Sequence, residues 1–128
     1  MRLLQNSPAE RITPSELEVM KLLWHSHEAI PLTEIREQLQ ASRAWEPATI
    51  KTLVARLVSK GAVRQEKRNV YYYSPLVSER EYSAWATGDL ISRLYNGSAR
   101  DLVAALVHSE GLSREDFDEL REMFRVED

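Results

Sequence analysis

The segment from Pro47 to Gly61 constrains the fold more than any other stretch, because it reads as a helix with a defined start, a defined end and one buried face. Ile50, Leu53, Val54 and Leu57 recur at i, i+3, i+4 and i+7, the spacing that lines up apolar side chains along one stripe of an α-helix. The opening proline lacks an amide hydrogen at a position where the first turn leaves it unused. Gly61 suits the left-handed conformation that ends a helix. The opposite face carries Thr49, Lys51, Thr52, Arg56, Ser59 and Lys60, with no carboxylate after Glu46. It is short, cationic and rich in hydrogen-bonding groups.

Two more helices precede it. Thr13-Pro14-Ser15-Glu16 has the form of a capping box, in which the Thr and Glu side chains satisfy each other's free amides. Leu17, Met20, Leu23 and Trp24 then give a buried stripe at helical spacing. Ala29-Ile30-Pro31 reads as an extended connector, followed by a helix over about 32–41 with Leu32, Ile35 and Leu39 inward. The loop from Ala41 to Glu46 takes Trp45 as its apolar anchor. After Gly61, residues 62–74 are rich in Val and Tyr, with Lys67-Arg68-Asn69 at the middle, which predicts a β-hairpin with a basic tip. Strand alternation sends part of Tyr71-Tyr72-Tyr73 inward, so packing explains them better than base stacking. Residues 1–11 show no periodicity and read as a flexible tail.

The C-terminal third is helical again. Ser78, Ser98 and Ser113 each have an acid three residues on, favouring both cap and helix dipole. The first of these helices runs to about Tyr95 and is broken by Asn96-Gly97. The second carries Leu102, Val103, Leu106 and Val107 on one stripe and is expected to stop at Gly111. The third turns Phe117, Leu120 and Phe124 inward. Together with Tyr82, Trp85, Ile91 and Leu94, the residues Leu102, Leu106, Phe117, Leu120 and Phe124 offer more apolar surface than so short a region can cover alone. They predict a homodimer interface. The expected fold class is mostly α with a small β-hairpin: a flexible tail (1–11), a winged helix-turn-helix domain (12–76) and a helical dimerisation region (77–128).

Charge is distributed unevenly along the 128 residues, although the net value is only −3. Between Arg43 and Arg68 lie seven cations and two acids, whereas Glu110 to Asp128 holds eight acids and three cations. A basic middle and an acidic end point to a local polyanion-binding surface rather than a globally basic protein. With no cysteine there is no disulfide, thiolate metal site or cysteine nucleophile. No apolar run approaches membrane-span length and no signal-peptide core opens the chain, so a cytoplasmic protein without membrane insertion is expected. His25, His27 and His108 read as surface histidines, since two of them two residues apart at a helix end point in different directions. No metal site, cofactor or catalytic constellation is expected, and the chain does not read as an enzyme.

A helix that enters a major groove needs the outer face described above: Arg pairs with guanine, and Thr touches a base edge or a thymine methyl. The expected DNA-binding residues are Thr49, Lys51, Thr52 and Arg56 on the helix, with Lys67, Arg68 and Asn69 at the hairpin tip reaching a backbone or minor groove. The alternative is a winged-helix protein-interaction module without DNA binding, against which the basic helix and hairpin argue.

The same residues resemble the penicillinase-repressor family, the BlaI/MecI/CopY group. The resemblance begins at "ELEVMKLLW" (Glu16 to Trp24), is strongest in "WEPATIKTLVARLVSKG" (Trp45 to Gly61) and continues through "YYYSPLV" (Tyr71 to Val77). It implies a transcriptional repressor that binds a palindromic operator, double-stranded DNA, as a homodimer and is released by a signal-dependent event. Thr49, Thr52 and Arg56 stand where the family places groove-facing residues, and Lys51 at a usually basic position suited to a phosphate. Ala48 replaces a frequent cation, and Glu46 a commoner capping residue. The copper-responsive branch ends in a cysteine-rich motif that this chain lacks. The β-lactam-responsive branch is inactivated by proteolysis, with a membrane sensor protease as the implied partner. The corresponding junction reads "YNGSARDLV", so Ser98 and Ala99 occupy the cleavage position without that branch's Asn-Phe pair.

Overall fold

The computed structural model describes residues 7–126. The chain divides into two compact units, Met1–Ala86 and Thr87–Asp128.

In the first unit, α1 (Pro14–His25) opens on the predicted capping box. The Glu16 amide donates to Thr13 Oγ1 at 3.2 Å and the Thr13 amide to Glu16 Oε1 at 3.0 Å. Its buried stripe is Glu16, Val19, Met20 and Leu23. The expected stripe is thus rotated by about a residue: Leu17 and Trp24 are half-buried at its edge, while Val19 and the Glu16 carboxylate point inward. Trp24 stays at the edge because its indole N–H donates to Val77 O at 2.8 Å.

Ile30–Pro31 is a short strand, β1, where only an extended connector was expected. Proline is tolerated because this strand lies at a sheet edge. It leads into α2 (Leu32–Arg43), with Ile35 and Leu39 buried and a left-handed Ala44 (φ 59°) ending it. The helix α3 (Pro47–Ser59) buries Ile50, Leu53, Val54 and Leu57 as its spacing predicts, and Gly61 follows at φ 82°. The hairpin consists of β2 (Val63–Lys67) and β3 (Tyr71–Pro75), and the sheet order is β1-β3-β2, antiparallel throughout. Tyr73, central in β3, is paired with Ile30 on one side and Gln65 on the other. Its ring is buried and its hydroxyl accepts from Gln65 Nε2 at 3.1 Å, the partner a buried phenol needs. Three helices and this sheet enclose one core running from Ala9 to Val77.

The described part of the expected tail is folded. Pro8–Arg11 forms one 3-10 turn capped by Ser7, with Ala9 buried in the core. Residues 1–6 lie outside the described residues. Trp45 packs half-buried against the core, as its role of loop anchor requires.

Helix α4 (Glu79–Leu94) starts in the first unit, on a capping box of Ser78 and Glu81. Tyr82 and Trp85, expected in the dimer face, lie half-buried against the first unit's core, in a chain of tilted rings with Trp24 at 5.9 and 5.8 Å centroid spacing.

The second unit begins within α4. Asn96 and Gly97, at φ 51° and 86°, break the helix as expected; the Gly97 amide turns back to Ile91 O at 3.0 Å. Ser98 caps α5 (Ala99–His108), and Ser113 with Asp116 caps α6 (Arg114–Val126). The left-handed residue after α5 is Glu110 (φ 62°), one position earlier than the glycine expected there. No described residue of this unit is buried.

Candidate nucleic-acid interface

The exposed face of α3 is what its buried face leaves over. With Ile50, Leu53, Val54 and Leu57 in the core, Ala48, Thr49, Lys51, Thr52, Ala55, Arg56 and Ser59 must face outward, and all are exposed. Thr49, Thr52 and Arg56 recur at i, i+3 and i+7 and line one shallow open groove with Ala48 and Leu53. The Thr52 hydroxyl donates to Ala48 O at 3.0 Å, which uses its one donor and leaves its lone pairs to accept from a ligand. Among the described residues, neither Arg56 nor Lys51 has an ion-pair partner. An unpaired guanidinium two turns along from a threonine is well suited to bidentate recognition of a planar acceptor pair.

Lys51 does not join that groove. It faces the sheet, lining a second concavity of about 670 Å³ with Pro31, Leu32, Gln65 and Tyr71 to Tyr73. The structure therefore separates the Thr49, Thr52 and Arg56 groove from a cation beside the hairpin.

At the hairpin tip, Lys67 Nζ sits 4.8 Å from the Tyr71 ring centroid and the Arg68 guanidinium 4.4 Å from that of Tyr72. Adjacent tyrosines point to opposite faces, so each steadies one cation by a cation–π contact. Arg68 also approaches Glu66 at 3.4 Å, an exposed pair of little energetic weight. Asn69 Oδ1 accepts from the Val70 amide at 3.0 Å and the Arg68 amide donates to Val70 O at 2.9 Å, so Asn69 shapes the turn while its side-chain amide hydrogens remain available.

Two cations counted in the basic stretch are committed elsewhere. Lys60, expected on the polar face of α3, donates to both oxygens of the buried Glu16, at 2.7 and 2.9 Å. Arg43 pairs with Glu18 at 2.5 Å. The Arg43 hydrogen bond holds the Glu18 carboxyl below the usual carboxylate range, opposed by partial desolvation and reinforced by the charges of Arg43 and Lys21. Sequence reading assigned Glu16 a capping role alone. Its place at the head of the 16/19/20/23 stripe was the signal that it is also buried.

His25 Nδ1 lies 2.8 Å from Lys21 O and His27 is exposed; among the described residues no cluster could hold a metal ion. No described helix is long and apolar enough to cross a membrane. At the junction of α4 and α5, Asn96, Gly97 and Ala99 are exposed and Ser98 is half-buried.

Comparison with known proteins identifies a family and a fold. The family described as penicillinase repressor matches residues 12–125. The penicillinase repressor of Bacillus licheniformis is 34% identical over 111 residues, 86% of each chain. The methicillin resistance regulatory protein MecI of Mammaliicoccus sciuri is 35% identical over 111 residues, covering 86% of this chain and 89% of that one. Among solved structures, the DNA-binding domain of the repressor BlaI aligns with TM-score 0.51 at 39% identity, over 56% of this chain and 87% of that one. The monomeric form of Bacillus licheniformis BlaI in complex with the blaP half-operator aligns with TM-score 0.50 at the same identity and coverage. The first unit is thus a winged-helix domain.

Proposed function

The chain belongs to the penicillinase repressor family, and on that premise we propose that it is a cytoplasmic transcriptional repressor that binds a palindromic operator as a homodimer. The observation that carries this reading is the exposed Thr49, Thr52 and Arg56 face of α3, in a domain 39% identical to one solved on a half-operator. In the bound state α3 lies in the major groove with Arg56 on a guanine edge and the threonines on neighbouring bases. Lys51 neutralises a phosphate beside the wing, and Lys67, Arg68 and Asn69 follow the adjacent backbone or minor groove.

Dimerisation through residues 77–128 is supported by the second unit itself. Leu94, Val103, Leu106, Met123 and Phe124 are exposed on helices that bury nothing within the unit, and large apolar side chains left uncovered on several helices suit an interface. Two copies reading two half-sites gain effective concentration that one copy lacks.

Release by proteolysis would act on that gain. The turn before α5, exposed at Asn96, Gly97 and Ala99, would offer the Ser98-Ala99 bond to a protease such as a membrane sensor, and a cut there would detach α5 and α6 from the DNA-binding half.

The test is selection of duplexes from a random pool by the intact protein, followed by binding at several salt concentrations. A repressor enriches an inverted repeat with half-sites about one helical turn or a multiple apart, and its affinity falls steeply with salt. A pool that stays random, with salt-independent binding, overturns the reading.

A further inference from the structure

The proposed interface uses the outer face of α3, yet the most expensive arrangement in the first unit lies behind it. Glu16 is 1% exposed, and a carboxylate removed from water is tolerated only when paired and fully hydrogen-bonded. Its Oε1 accepts from the Thr13 amide and from Lys60 Nζ, and its Oε2 from Lys60 Nζ again, at 3.0, 2.7 and 2.9 Å. The third ammonium hydrogen of Lys60 goes to Arg11 O at 2.8 Å, and Arg11 Nη2 returns a bond to Lys60 O at 3.0 Å. Lys60 also donates its own amide to Arg56 O at 2.9 Å. This residue caps α3, one turn beyond Arg56, and three residues later β2 begins. Every polar group of Lys60 is therefore spoken for.

A second carboxylate of α1 makes a more exposed contact at the other end. Glu18 pairs with Arg43 at 2.5 Å, and Arg43 is the last residue of α2, three before Glu46, the residue that precedes α3. Two acids two residues apart on α1 thus grip the segments entering and leaving α3.

We infer that Glu16 and Glu18, with Lys60 and Arg43, are positioning residues for DNA readout, fixing the angle at which α3 presents Thr49, Thr52 and Arg56 and from which the wing departs. A buried ion pair is seldom worth more to stability than apolar side chains of the same volume; what it adds is directional, because its bonds have fixed geometry. Its removal therefore costs discrimination between sequences more than it costs folding or general affinity for duplex DNA. The inference rests on the reading of α3 as the recognition helix.

The deciding variant is the pair Glu16→Gln with Lys60→Met. It preserves net charge, and the glutamine oxygen can still accept from the Thr13 amide. Binding is measured on the duplex that the parent protein selects from a random pool and on random duplex of equal length. The expected result is a cooperatively folded protein with an unchanged salt slope, random-duplex affinity within about twofold of the parent, and a selected-to-random ratio lower by about tenfold. If the pair does not fold, Arg43→Gln decides by the same ratio, since that contact is exposed, with Arg43→Lys as its charge-matched control. Folded variants whose ratio stays within about twofold, or which lose both affinities equally, overturn the inference. A parent that selects no sequence defeats the DNA reading itself, and this inference with it, before any variant is compared.

Discussion

The two units of this chain solve the problem of stability in opposite ways. Every buried residue of the described chain lies between Ala9 and Val77, where helices, hairpin and edge strand close around one core. The second unit has helices as well capped as those of the first, yet Phe124 is 74% exposed and Met123 beside it 64%. Caps and dipoles stabilise a helix end, but most helical stability in water comes from packing an apolar face against something. The first unit supplies that surface from its own chain. The described residues of the second do not.

The largest effect that would sharpen this contrast is Leu57→Ala. Leu57 is fully buried beneath α3, so truncation leaves a cavity and lowers unfolding free energy by about 2–5 kcal/mol. Denaturant unfolding of the first unit's signal should show that loss equally at all protein concentrations. A concentration-dependent loss would mean that the first unit, too, leans on a partner.

Next in size is Phe124→Asp, which places a charge in the proposed interface. It should turn dimers into monomers in sedimentation, with a loss of about 2 kcal/mol or more of association energy if Phe124 is a central anchor. The first unit's unfolding should be unmoved. Retained dimers would break the comparison, because α6 would then be exposed by design.

Smaller effects separate residues within the DNA-binding half. Arg56→Ala should weaken binding to the selected duplex by about 1–3 kcal/mol and relax preference at one position per half-site. Lys51→Ala should weaken selected and random duplexes alike and flatten the salt slope by about one phosphate equivalent per half-site. Indistinguishable losses on the two duplexes from both variants would remove Arg56 as a base reader.

The smallest effect is acid sensitivity at Glu18. Its pKa is lowered in the folded protein, first by the Arg43 hydrogen bond, so its stabilisation is complete above the unfolded carboxylate value and is lost as pH falls through the folded one. Because both partners are partly exposed, the contribution stays below about 1 kcal/mol. Arg43→Gln should remove this part of the stability profile at acid pH and leave neutral-pH binding to random duplex nearly unchanged. A profile that keeps its shape in the variant would assign the acid sensitivity to other carboxylates.

Much of the molecule was legible from residues alone, for a local reason. Capping boxes at Thr13 and Ser78, the stripe in α3 and the basic hairpin tip depend on neighbours a few positions away, so their signals sit within one window of sequence. The outward positions of Thr49, Thr52 and Arg56 follow automatically once the inward ones are known. What the sequence could not announce involves partners far apart along the chain. Ile30 gives no sign of pairing with Tyr73, and neither Tyr82 nor Trp85 gives a sign of the ring chain they form with Trp24.

Charge is where the two levels diverge most. Cations gather between Arg43 and Arg68 in the sequence alone, and α3 must show one polar face because helical periodicity assigns every side chain a direction. Which of those cations stay without an acid depends on packing between distant segments. Lys60 is drawn to Glu16 across 44 positions of sequence, since a carboxylate carried into the core by its helix must find an opposite charge there, and folding brought that lysine within reach. Arg56, one turn earlier on the same helix, meets no such acid among the described residues.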